Sequence, residues 1–196
     1  MTRITTWRRV GNGVGLVAVL GIAWVVAETT PTEETWQGPI VVSGDIGETL
    51  TGRNIEAVVS EVRIADEVIA SNGWAGPSTG VWVVVDASVS SVVDDYGASL
   101  GTAELVIDGI TYSASERPDD GTIAREPLTT GIPVTGPLMF EVPQELVESD
   151  AAASARIQLA VSSDPRVDSM LAFTVDLSSL PVLPSVETDD PIWGAL

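Results

Sequence analysis

The segment Leu105-Val106-Ile107-Asp108-Gly109-Ile110-Thr111-Tyr112 closes on itself in one register. Asp-Gly between strand-forming residues predicts a two-residue type I′ turn, whose central positions both need positive φ. Folding there sets Ile107 opposite Ile110, Leu105 opposite Tyr112 and Ala103 opposite Ala114. One face of the hairpin then becomes apolar, while the other carries Glu104, Val106, Thr111 and Ser113. Turn chemistry and hydrophobic alternation therefore agree, and a strand so specified needs further strands to pair and pack with.

Those strands are visible as repeated period-two runs. Val81, Val83, Val85, Ala87 and Val89 share a face, with Trp82, Val84, Asp86 and Ser88 on the other. Leu138, Phe140 and Val142 alternate with Met139 and Glu141 and stop at Pro143. Ile157, Leu159 and Val161 form another run, and Leu171, Phe173, Val175 and Leu177 a fourth. The segment from Ile55 to Ile69 slips phase near Val58-Val59, which predicts a bulge or two short strands. Residues 144–153 hold good helix formers and predict one or two turns. About seven strands without βαβ alternation predict an all-β fold, an Ig-like antiparallel β-sandwich over residues 48–179, with a closed barrel as the alternative.

The N-terminus has a different character. Residues 10–27 carry no charge, and at about 1.5 Å per residue a helix of that length approaches the thickness of a bilayer core. Arg3, Arg8 and Arg9 precede the run and every acid follows it. This predicts an N-terminal transmembrane helix with residues 1–9 in the cytoplasm and the remainder outside. Trp24 suits an interfacial position. The alternative is a secretory signal cleaved after Ala27, with Val25 and Ala27 at the small-residue positions. Arg8-Arg9 is followed by Val-Gly-Asn and matches a twin-arginine signal poorly. Residues 28–47, rich in Thr, Pro, Glu and Gly, predict an extracytoplasmic stalk. Residues 180–196, with acids and prolines, predict a mobile tail. Its apolar pair Ile192-Trp193 either packs back on the domain or serves as a short docking motif.

Charge and composition restrict the chemistry. The net charge is −19, and the 28 acids beyond residue 27 stand against six arginines. Such a surface repels phosphate backbones, so no nucleic acid partner is expected. The sequence contains no His, no Cys and no Lys. Thiol nucleophiles, Schiff-base lysines and zinc sites built on His or Cys are therefore excluded. Gly76-Pro77-Ser78-Thr79-Gly80 fits the nucleophile-elbow spacing, but a strand follows it and no His exists to take the proton, so it reads as a loop. Only carboxylate chemistry remains, and no motif selects a pair of acids for glycoside hydrolysis. Asp94-Asp95 and Asp119-Asp120, near Gly97 and Gly121, are weak calcium candidates without EF-hand spacing; solvated turn acids explain them as well. Asp164-Pro165-Arg166-Val167-Asp168 sets Arg166 between two carboxylates in sequence and predicts a turn held by an exposed ion pair worth under about 1 kcal/mol. No cofactor is expected.

Three stretches carry a family resemblance: Gly80-Val81-Trp82-Val83-Val84-Val85-Asp86, the Asp108-Gly109 hairpin, and Gly131-Ile132-Pro133-Val134-Thr135-Gly136-Pro137-Leu138-Met139-Phe140-Glu141-Val142-Pro143. Together they resemble the telokin-like, Ig-fold domains of bacterial exported proteins that carry the DUF4352 label. The resemblance covers about a third of the chain closely. It implies an extracytoplasmic interaction module without catalytic residues. With the charge asymmetry around residues 10–27 and the period-two runs, the expected partner is an envelope protein or a cell-wall component. The alternatives are a carboxylate-dependent glycan hydrolase and a calcium-dependent adhesion module.

Overall fold

A computed structural model describes residues 3–30, 37–93, 98–166 and 168–194; the side chains of residues 3–12 and of residue 14 are not among those described. The chain divides into two compact units, residues 1–38 and residues 39–196.

The first unit holds helix α1, Arg3–Thr29. Its end is closed by the Thr29 and Thr30 hydroxyls, which donate to the carbonyls of Val25 and Val26 at 2.8 and 2.6 Å. Leu16, Val17, Val19, Leu20, Ile22, Trp24, Val25 and Val26 are all at least 50% exposed, so this unit buries none of them. The expected span at residues 10–27 lies within α1. Among the described residues, however, no helix is long and apolar enough to cross a membrane.

The second unit is a β-sandwich. In chain order its strands are β1 (Ile40–Asp45), β2 (Thr49–Thr51), β3 (Ile55–Ile69), β4 (Ala75–Ser91), β5 (Thr102–Ile107), β6 (Ile110–Ser113), β7 (Val134–Val142), β8 (Ala155–Ala160), β9 (Ser169–Val175), β10 (Val182–Leu183), β11 (Val186–Glu187) and β12 (Ile192–Trp193). One sheet has the order β1-β9-β8-β5-β6. The other has β10-β3-β4-β7-β12, with β2 and β11 also paired to β3. A helical turn at Gln144–Val147 and a 3-10 segment at Asp150–Ser154 occupy the expected helical stretch.

The hairpin forms in the predicted register, Ile107 with Ile110 and Leu105 with Tyr112. Asp108 and Gly109 take φ of 52° and 74°, as a type I′ turn requires. The phase slip in β3 is resolved as one bent strand with register shifts at Val59/Glu61 and Ala65/Glu67. The main core lies between the sheets and includes Val81, Val83, Val85, Leu105, Ile107, Phe140, Ile157, Leu159, Leu171 and Phe173.

Three features depart from the sequence expectation. The sheets are not wholly antiparallel: β1 runs parallel to β9, and β10 and β11 run parallel to β3. The expected stalk supplies β1, because Ile40-Val41-Val42 pairs along β9 and Val42 packs on the core. The expected mobile tail supplies β10, β11 and β12, which pair along both edges of the larger sheet.

That last difference changes the meaning of the β4 pattern. Trp82 and Val84 point away from the main core, yet both are fully buried. With Ala65, Val68, Ala70, Met139 and Val186 they form a second core, against which Leu183 and Trp74 pack. Val186 and Leu183 of the C-terminal segment thus cover part of the outer face of the larger sheet. Burial of a sheet on both faces yields a near-continuous apolar run, which Val81–Val85 displays.

Candidate functional site

The residues singled out in the sequence fall in separate places. Asp94 and Asp95 lie outside the described residues. Asp119 and Asp120 form a short 3-10 turn, Asp119–Gly121. Asp120 Oδ1 is engaged by the Asn72 side-chain amide at 2.7 Å, which ties the turn to the β3–β4 loop. Among the described residues, no group of three or more acids is placed to hold a metal ion.

Ser78 stands in a strand rather than a loop, since β4 begins at Ala75. Its hydroxyl donates to Glu141 Oε1 at 2.8 Å and accepts from the Gly80 amide at 3.0 Å. Glu141 Oε2 is held by Arg117 at 2.9 Å. The same guanidinium lies 5.3 Å from the Trp74 ring and 5.2 Å from the Trp82 ring. Trp74 meets Trp82 edge-on at 5.7 Å, and Trp82 Nε1 donates to the Gly76 carbonyl at 2.7 Å. This network closes one end of the second core and satisfies the buried indole. The Ser78 hydroxyl is thus engaged on both sides within this network, by Glu141 and by the Gly80 amide. Gly80 is required there for another reason: a Cβ would lie 2.1 Å from the Val142 carbonyl oxygen.

A cleft of about 530 Å³ lies elsewhere, lined by Arg53, Asn54, Val93, Ser162, Asp164, Arg166 and Asp168. Three loops build it, and its position is fixed by partly buried polar bonds. The Arg53 amide donates to Ser169 Oγ at 2.7 Å, and the Asn54 side chain donates to Asp168 Oδ2 at 2.8 Å. Asp168 Oδ1 accepts from the Ser169 amide at 2.8 Å. Arg166 pairs with Asp164, its Nε at 2.8 Å from Oδ1, as the exposed ion pair expected at this turn. That guanidinium holds the Asp164 carboxyl below its ordinary pKa through a direct hydrogen bond. Asn54 Oδ1 is buried without a hydrogen-bond partner. The cleft is therefore lined by Arg53, by Arg166 paired with Asp164, and by Asp168 held by the Asn54 side chain and the Ser169 amide.

Sequence reasoning reached Arg166 in this cleft but missed Arg53 and Asn54. The lining residues are scattered over 53–168, and no short motif contains them. The Ile192-Trp193 pair is captured by the chain itself, as β12 beside Val134 and Thr135. Both side chains stay about half exposed, at 58% and 49%.

Fold and cleft together define a β-sandwich with a polar cleft built among its loops. No protein-family model matches the chain, and a search of curated proteins found no match. Among solved structures, an uncharacterized β-sandwich protein from Clostridium difficile 630 is similar at 16% identity. The match covers 74% of this chain and 99% of that chain, with a TM-score of 0.47.

Proposed function

We propose that the chain is a non-catalytic binding module, displayed outside the cell on an N-terminal membrane anchor, that recognises an envelope protein or a cell-wall component. Support for the anchor comes from the sequence: an uncharged run at residues 10–27 with three arginines before it and all the acids after it. The resemblance to the telokin-like exported domains points the same way. The observation that carries the binding reading is the state of the carboxylates in the Arg53–Arg166 cleft. Asp164 is committed to Arg166 and held ionised, and Asp168 accepts from Asn54 and Ser169. Glycoside hydrolysis needs one acid that keeps a proton near neutral pH and a second placed across the scissile bond. The cleft supplies hydrogen-bonding groups for recognition instead.

Site-specific photocrosslinking in intact cells tests this. A crosslinker at position 53 is expected to give a discrete adduct, and one at position 111, in the exposed edge strand β6, none. An adduct digested by wall hydrolases identifies a wall component, and a resistant one a protein. Absence of adducts from position 53, or equal adducts from both positions, would refute the proposal.

A further inference from the structure

Past the second core, the outer face of the larger sheet turns from apolar to hydroxylated. Register puts Thr49, Val58, Ser88 and Thr135 in one row across β2, β3, β4 and β7. Thr51, Glu56 and Ser90 form the next row. A groove of about 170 Å³ opens here, lined by Glu56 and Val58 of β3, Ser88 and Ser90 of β4, and Gly131 and Pro133 of the loop before β7. That loop is held at both ends. The Gly131 amide donates to the Ser91 carbonyl at 3.3 Å, and the Pro133 carbonyl accepts from the Gly194 amide at 3.0 Å.

The hydrogen-bonding groups of the groove are only partly used within the protein. Ser90 is 6% exposed, yet among the described residues its hydroxyl has no partner, and its oxygen opens into the groove instead of being sealed in the interior. The hydroxyls of Thr135 and Ser88 share one bond at 2.8 Å, which leaves one of their two protons to give. Glu56 Oε2 accepts from the Thr51 hydroxyl at 2.9 Å, and a carboxylate has lone pairs beyond that bond. A hydroxyl as buried as that of Ser90 ordinarily finds a partner, so its open state points to a ligand. Strand geometry spaces these groups at about 5 Å between strands and about 7 Å along β4. Val58 and Pro133 add apolar surface beside them.

We infer that this groove binds a neutral saccharide. A sugar ring offers hydroxyls that donate and accept at such spacings, together with an apolar C–H face. Ser90 and the Ser88–Thr135 pair donate to its oxygens, Glu56 accepts from one of its hydroxyls, and Val58 and Pro133 meet its C–H groups. An anionic sugar is disfavoured by the 28 acids that stand against six arginines beyond residue 27. The groove shares no lining residue with the Arg53–Arg166 cleft, so the inference stands apart from what that cleft recognises.

Nuclear magnetic resonance titration of the full-length chain in zwitterionic, sugar-free micelles at low salt tests it. The probes are tetramers of glucose, mannose and N-acetylglucosamine, with a galacturonic acid tetramer as the anionic counterpart. Saturable shifts are expected with at least one neutral tetramer and not with the anionic one. Ser90→Ala is expected to raise the Kd by about fivefold, the loss of one hydrogen bond. Its melting temperature is expected to stay unchanged, because the hydroxyl has no partner within the described residues. Glu56→Ala is expected to raise the Kd by a similar factor, and Thr111→Ala, in the edge strand β6, to leave it unaltered. Absence of saturable shifts with all three neutral tetramers would overturn the inference. So would equal affinity for the anionic tetramer, or an unaltered Kd in Ser90→Ala.

Discussion

Trp82 joins the two sides of the larger sheet. It is fully buried on the face of β4 turned away from the main core, and its single polar atom is met by the Gly76 carbonyl. Trp82→Phe keeps most of the apolar contact and removes that bond, leaving the carbonyl without its donor. The expected cost is about 1 kcal/mol in denaturant unfolding. Phe140, one register pair away at Val83, lies wholly inside the main core. Phe140→Ala is expected to cost about 3–5 kcal/mol by the same measurement, because the removed ring leaves a cavity in a close-packed interior. An unchanged melt would place that face outside the core. Arg117 presents a contrast: its pair with Glu141 is half exposed, so Arg117→Ala loses chiefly the ring contacts, about 0.5–1 kcal/mol.

The β5–β6 hairpin is the element whose local sequence determines it most completely. Its turn needs positive φ at both central residues, and Gly109 takes 74°. Gly109→Ala is therefore expected to cost about 1–2 kcal/mol, read as a lowered melting temperature. The bent β3 strand was equally legible, since a phase slip in an alternating pattern has few other solutions. Legibility failed at β4 and at the C-terminus for one shared reason. Alternation assigns residues to opposite faces, but it does not say whether the second face is covered. Alternation puts Trp82 and Val84 on the second face, and the segment that covers them consists of two-residue strands separated by Pro184 and Pro191. Strands of two residues have no periodicity to detect. β1 spans six residues, but its apolar ones, Ile40-Val41-Val42, are consecutive and followed by Ser43-Gly44-Asp45, so it too lacks alternation.

At the scale of the whole molecule, the sequence established the β-sandwich and the excluded chemistries, while the candidate site was only partly legible. The Arg53–Arg166 cleft is assembled from loops distant along the chain, and its meaning lies in which partner each carboxylate has. Such pairings follow from the fold and not from spacing. The same holds for the balance of the larger sheet, whose two edges are closed by residues read at first as a tail. Cooperative unfolding tests that dependence most directly. The full-length chain is expected to show one sharp transition for the β-sandwich, by tryptophan fluorescence and by far-ultraviolet circular dichroism together. A chain ending at Leu180 is expected to lose that coincidence and to bind a hydrophobic dye, because Trp82, Val84 and Met139 are uncovered. Identical, coincident melts for the two chains would contradict the account.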